Sequence, residues 1–234
     1  MAVKTRQKSD APDASDRVSR IREGVTAAIL EHRLLPGTKL GEDEIGEIYG
    51  ASRTLVRTAL QQLAHEGIVT IEKNRGAFVA KPSTEQARDV FEARRLIEPS
   101  IVDHACDKAS PAWLDRLSRH IAEERAAELR GDARTAVRLS GEFHRLVAEI
   151  SGHSIYLGFL KELIARSSLI ILLYRRHDTP ACGTDHHADI VSAIRRRDKA
   201  RARELMLSHL VEIEAELFLK DEAIDELPLA DVLG

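Results

Sequence analysis

Aromatic side chains make up only 4% of this 234-residue sequence, a scarcity that argues against a β-sandwich or barrel, whose strands draw on aromatic and β-branched residues. Cysteine is scarcer still. Cys106 and Cys182 are the whole complement, and a chain this long can bury a core without a staple, so a disulfide framework is excluded and free, buried thiols are expected. Long apolar runs are absent as well. The longest, LIILLY at 169–174, is far too short to span a bilayer, and the polar start MAVKTRQKSDAPDASD lacks the apolar stretch of a signal peptide. A cytoplasmic protein with no membrane partner is therefore expected. Finally, no sign of charge dominates: a net charge of −3 excludes a protein that coats nucleic acid by bulk electrostatics.

What the sequence does hold is 43% hydrophobic and 31% charged residues, rich in Ala, Leu, Ile, Arg and Glu, the composition of helices packed through aliphatic side chains. Residues 1–16 show no apolar period and read as a disordered arm. From 17 to 82 the rhythm is short. Val18, Ile21, Val25 and Ile29 predict a helix that stops before Pro36-Gly37, GEDEIGEIYG predicts a second with acids in its first turn, and Ser52 is placed to cap a third, RTLVRTALQQLAHEG. IVTIEK and GAFVAK follow as a two-stranded hairpin, or wing, turning through Asn74, Arg75 and Gly76. This segment holds ten Lys and Arg against eight acids, whereas the remainder is acidic. From 83 to 222 the pattern changes to six long amphipathic helices, at 84–108, 111–129, 132–150, 155–176, 181–197 and 199–220, and residues 223–234 form an acidic tail.

The N-terminal helices carry DNA-reading chemistry. The second helix of a helix-turn-helix enters the major groove by its N-terminal part, where arginine reaches guanine edges or phosphates and small hydroxyls reach phosphates. Arg53 and Arg57 share one face of that helix, with Ser52, Thr54 and Thr58 beside them and Lys73, Arg75 and Gly76 on the wing. Two arginines on an isolated helix are ordinarily solvated charge, but here they stand within a three-helix unit followed by a basic hairpin, in the order a winged helix requires.

The stretch LLPGTKLGEDEIGEIYGASRTLVRTALQQLAHEGIVTIEKNRGAFVAKPS resembles the winged-helix domain of GntR-type bacterial transcriptional regulators, with its PG, SRTPVREAL and nrGafV elements. Leu55, Thr58 and Ala51 depart from that pattern without removing a DNA-contacting group, and Asp43 lies near where some members place a phosphate-binding arginine. The resemblance implies a homodimer on a near-palindromic double-stranded operator.

In the helical part, three helices each set a histidine on an apolar stripe: His144 with Val137 and Val147, His187 with Ile190, Val191 and Ile194, His209 with Leu205, Met206 and Ile213. A single such histidine is most often a satisfied core residue. Three together suggest a divalent metal, zinc or nickel, because one ion takes a lone pair from each imidazole and leaves positions open for water or a carboxylate. Arg94 falls on the stripe of Val90, Ile97 and Ile101, and a buried guanidinium needs an anion, either an internal acid such as Glu98 or an effector carboxylate. Ser167 and Tyr174 are candidate pocket polars, and His153 and His186 lie off the inner stripes and read as exposed.

EARRLIEP, FHRLVAEISGH and HADIVSAIRRRDKARARELMLSHL also resemble segments of the ligand-binding FCD domain of the FadR branch of that family, in its six-helix, VanR-like version. Metal-binding members commonly carry Asp or Asn four residues before the first histidine, a position held here by Ser140, so weaker binding or a softer metal is expected. The expected architecture is mainly α: a winged helix-turn-helix with a two-stranded wing, then an all-α six-helix FCD-type bundle. The resemblance implies a repressor released by a small organic-acid effector. Three histidines around an open position also suit a metal-dependent hydrolase, but no HExxH glutamate or partnered nucleophile accompanies them. In a third reading the bundle serves dimerisation alone.

Overall fold

The computed structural model describes residues 13–31, 33–175 and 184–219, and the chain divides into two compact units, Met1–Ala80 and Lys81–Gly234. Most of the arm, Cys182 and the acidic tail lie outside the described residues.

In the first unit α1 (Ala14–Leu30) starts on an Asp13 cap, within the segment read as an arm, and buries Val18, Ile21, Val25, Ala28 and Ile29 along one stripe. Helix α2 (Glu42–Tyr49) ends at Gly50, whose φ of 58° is the left-handed conformation that glycine adopts without a Cβ clash. Helix α3 (Arg53–His65) follows at once. Its cap is Ser52, and Val56, Ala59, Leu60 and Leu63 face inward. The helices pack tightly: a Cβ added at Gly24 of α1 would meet the Tyr49 hydroxyl of α2 at 1.9 Å.

Strands β2 (Val69–Glu72) and β3 (Gly76–Val79) pair antiparallel from Val69↔Val79 to Glu72↔Gly76, with positive φ at Asn74 and Gly76 making the turn. The wing has a third strand that the two-stranded expectation lacked. Strand β1 (Lys39–Leu40) pairs with β3 through Lys39↔Phe78 and Leu40↔Ala77, giving the order β1-β3-β2. Two residues are too few to show a period of two, so the β1 pairing leaves no pattern in the sequence.

The second unit consists, among the described residues, of α4 (Thr84–Lys108), α5 (Pro111–Leu129), α6 (Ala133–Ser151), α7 (Ser154–Tyr174), α8 (Thr184–Arg195) and α9 (Lys199–Ala215). Local chemistry sets the boundaries. Ser83 and Gln86 form a capping box, Ser110 precedes Pro111 at the first helical position, and Asp132 and Asp198 cap α6 and α9. His153 does the same for α7, so it is half-buried rather than exposed. Helix α9 stops short of 220 because Leu217 bridges back to Arg175 and the Phe218 amide donates to Tyr174 O at 2.8 Å. Helix α4 runs through Pro99, forgoing one backbone hydrogen bond, and packs against α6, α7, α8 and α9. Cys106 is a buried member of the resulting core, which includes Phe143, Leu146, Ile190 and Met206. Each large side chain fully buried there contributes about 1.5–3 kcal/mol of transfer free energy.

Candidate functional site

On the first unit the predicted DNA-facing groups lie on the surface. Arg53, Thr54 and Arg57 are exposed near the start of α3, and Lys73, Arg75 and Gly76 are exposed at the wing tip. Ser52 is engaged in capping, its hydroxyl accepting from Leu55 N at 3.5 Å, and the Thr58 hydroxyl donates to Thr54 O at 3.0 Å. Each arginine meets an acid. Arg53 grips Asp43 with two bonds, Nε–Oδ1 at 2.5 Å and Nη2–Oδ2 at 3.0 Å, while Arg57 Nε donates to both Glu42 oxygens at 2.9 and 2.8 Å. Arg75 pairs with Glu72 and lies over the Phe78 ring.

Inside the second unit the helices deliver polar groups to one buried cluster. The histidine stripes converge: His144 from α6, His187 from α8 and His209 from α9 are each at most 1% exposed, and their ligand nitrogens lie within 4.8 Å of one another. His187 Nε2 is 2.9 Å from His209 Nε2, which is 3.3 Å from His144 Nε2. Two nitrogens each about 2.0–2.1 Å from a common ion lie about 2.9 Å apart at a right angle and about 3.4 Å apart at the tetrahedral angle. The donor set and its spacing therefore fit one divalent ion.

The far sides of the rings are anchored. His144 Nδ1 is 2.5 Å from Glu98 Oε2 and His187 Nδ1 is 2.8 Å from Glu124 Oε2, so Nδ1–H donation to each carboxylate leaves Nε2 with its lone pair directed at the shared point. Burial pushes the Glu98 carboxyl up, but the charges and hydrogen bonds of Arg94 and His144 outweigh it and hold the group down to about 2. Burial raises Glu124 to about 7, against the smaller pull of His120 and His144. His187 and His209 are pushed well below the usual histidine value by burial first and by neighbouring imidazoles second, which favours the neutral rings a metal requires. Among the described residues His209 Nδ1 is buried with no partner.

Arg94 meets the internal acid of the two alternatives drawn from its position. Nε donates to Glu98 Oε1 at 2.6 Å and Nη1 to Ser167 Oγ at 3.2 Å, while Nη2 is buried with no partner among the described residues. Arg94 lines an open-mouthed cleft together with Ser140, His144, Ser167 and His209, and Val137, Ile171 and Ile213 supply apolar wall. Ser140 is half-buried, one helical turn before His144. Tyr174 does not belong to this group: its hydroxyl donates to Pro82 O at 2.8 Å, and it is absent from the cleft lining. His186 is half-buried beside Glu212, not exposed, because α9 packs over the start of α8.

Two participants escaped the sequence reading. Glu124 and His120 lie on the stripe of Leu117, Ile121 and Ala127, and a polar pair at i and i+4 inside an apolar stripe is the signal that marks them. His120 Nε2 donates to Leu139 O at 2.8 Å, fixing α5 against α6 beside the cluster.

Among the described residues no helix is long and apolar enough to cross a membrane. The family of bacterial regulatory proteins named gntR matches residues 17–79, and the FCD domain family matches residues 89–212. The chain is similar to the uncharacterized HTH-type transcriptional regulator YdfH of Escherichia coli O6:H1, at 28% identity over 91% of this chain and 92% of that one. It is also similar to two HTH-type transcriptional repressors. RspR of Escherichia coli K12 is 28% identical over 79% of this chain and 82% of its own, and NanR of Cronobacter sakazakii is 28% identical over 86% and 91%. The fold is that of Escherichia coli McbR/YncC, with a TM-score of 0.76 at 19% identity over 85% of this chain and 95% of that one.

Proposed function

Because the chain belongs to the gntR family of bacterial regulatory proteins and is a DNA-binding transcriptional regulator with an FCD domain, not an enzyme, we propose that its FCD domain is a metal-dependent sensor of a small carboxylic acid. One observation carries the reading: three Nε2 atoms from three helices face one another on buried side chains, with two of their rings oriented from behind by buried glutamates. Lone pairs gathered without a cation repel, so the arrangement calls for a proton or a metal at its centre.

His144, His187 and His209 would hold the ion, zinc or nickel, which when bound supplies a Lewis-acidic site for an effector carboxylate. The chain's own residues do the rest. Glu98 and Glu124 orient His144 and His187, and Arg94 offers Nη2 to a second carboxylate oxygen while Glu98 and Ser167 hold its guanidinium still. Ser140 offers a neutral hydroxyl at the cleft, and Val137, Ile171 and Ile213 favour an aliphatic body on the ligand.

At the other unit, Arg53, Thr54 and Arg57 read base edges or phosphates of a double-stranded operator, and Ser52, Lys73, Arg75 and Gly76 flank them on the backbone. Two copies act as a homodimer in the cytoplasm, and the acid releases the repressor by binding the DNA-incompetent state more tightly. Elemental analysis of protein purified without chelator, followed by zinc and nickel titration calorimetry, tests the centre. About one ion per chain is expected; a chain that neither retains nor binds either metal refutes it. Screening of small carboxylic acids for operator release, with and without chelator, tests the sensor, and a response that ignores the chelator separates the acid from the metal.

A further inference from the structure

The arginines proposed to face DNA are not free cations. Asp43 takes the side edge of the Arg53 guanidinium, Nε and Nη2, in a two-bond clasp, and Glu42 takes Arg57 through Nε. Both acids sit in the first turn of α2, where the positive end of the helix dipole stabilises a carboxylate and holds it in place. The clasp leaves the end of the Arg53 fork clear, and a guanidinium reads guanine O6 and N7 with two parallel donors. Base readout and the Asp43 contact are thus compatible on one side chain. Phosphate binding is not favoured in the same way, because a nearby phosphate feels the Arg53 charge largely cancelled by Asp43.

The consequence concerns specificity. Binding to arbitrary DNA is almost entirely a matter of how many positive charges meet phosphates, whereas binding to a chosen sequence adds base-edge hydrogen bonds. An acid that masks the charge and aligns the fork penalises the first and spares the second. We propose that Asp43 is a specificity-determining positioning residue: it holds Arg53 for base readout and withholds its charge from the phosphate backbone. Glu42 does the same for Arg57 to a smaller degree, since its contact uses Nε alone. The proposal rests on the reading of α3 as the DNA-contacting helix.

The test uses the full-length protein, a duplex selected by the wild type from a randomised pool, and a scrambled duplex of the same length and composition. Asp43→Asn is expected to bind the scrambled duplex roughly five-fold more tightly, the effect of one unit charge about 4 Å away in water, with little gain on the selected duplex. The salt dependence on scrambled DNA should steepen by about 0.9 in log–log slope, one more unmasked charge. Asp43→Ser must reproduce the loss of selectivity and Asp43→Glu must restore it. Glu44→Gln, an identical charge change at the exposed neighbouring position, must leave selectivity unchanged. Equal effects of the Asp43 and Glu44 changes, or unchanged selectivity in Asp43→Asn, overturn the proposal. Arg53→Ala separates the two levels. If it alters neither affinity, the reading of α3 itself fails; if it weakens the selected duplex while Asp43→Asn keeps full selectivity, the role of Asp43 alone is refuted.

Discussion

Replacing His209 by Leu separates a metal centre from a merely buried polar cluster, because the two predict opposite patterns with and without metal. In metal-free protein His209 has an orphaned Nδ1, and its Nε2 is 2.9 Å from His187 and 3.3 Å from His144. Leucine removes an unpartnered buried polar atom, a gain of about 1–3 kcal/mol, but strands the buried His187 Nε2 that faced it, a cost of about 1–3 kcal/mol. The two nearly cancel, so the metal-free variant should lie within about 2 kcal/mol of wild type. Metal separates the two proteins. At an ion concentration one hundred times the dissociation constant the wild type gains about 2.7 kcal/mol, whereas a two-histidine remnant gains little. For a domain of this size that gain corresponds to roughly 5–10 °C in Tm. Urea unfolding followed by circular dichroism, with chelator and with zinc, reads all four states. A variant destabilised by several kcal/mol in chelator, together with a wild type indifferent to zinc, would show that the three histidines stabilise by mutual hydrogen bonding and would refute the metal reading.

Four further outcomes are expected. Glu124 titrates at about 7 in the folded chain against 4.5 as its ordinary value, so between those pH values the folded state keeps a proton that the unfolded state releases, and stability falls as pH rises through that window. Glu124→Gln should flatten that fall in a metal-free stability–pH profile, and an unchanged slope would contradict the assignment. Depressed His187 and His209 act in the other direction: below about 6.5 the unfolded chain binds protons the folded one does not, so metal-free stability should decline on the acid side, less steeply in His187→Leu. In the first unit, Arg57→Ala should cost about 1–3 kcal/mol on a selected duplex if it reads a base edge, while Arg75→Ala should weaken all duplexes alike. Ser140→Asp should tighten zinc binding measured by calorimetry, since it brings a charged oxygen to the turn preceding His144; no tightening would place residue 140 out of reach of the ion.

Much of the helical framework could be read from the chain because caps act locally. Ser83 with Gln86, Ser110 before Pro111, Asp132 and Asp198 each satisfy amides within three residues, so the starts of α4, α5, α6 and α9 fall within a residue of expectation. The inward-facing histidines and Arg94 were likewise written in the spacing of apolar neighbours. Features made by partners distant in the chain were not. Strand β1 exists because β3 pairs with it, α9 ends early because Leu217 meets Arg175, and Tyr174 turns from the cleft to Pro82, 92 positions away.

The sequence alone determined which faces are apolar, where helices begin, and that three imidazoles and a guanidinium must be buried, since helical periodicity is a property of consecutive residues. Only the tertiary structure decided that His144, His187 and His209 point their Nε2 atoms at one another, that Glu98 and Glu124 stand behind two of them, and that Asp43 clasps Arg53. Those relations depend on the rotation and crossing of helices separated by tens of residues, which are fixed by close packing of whole side-chain surfaces, with no local trace in the stretches that they join.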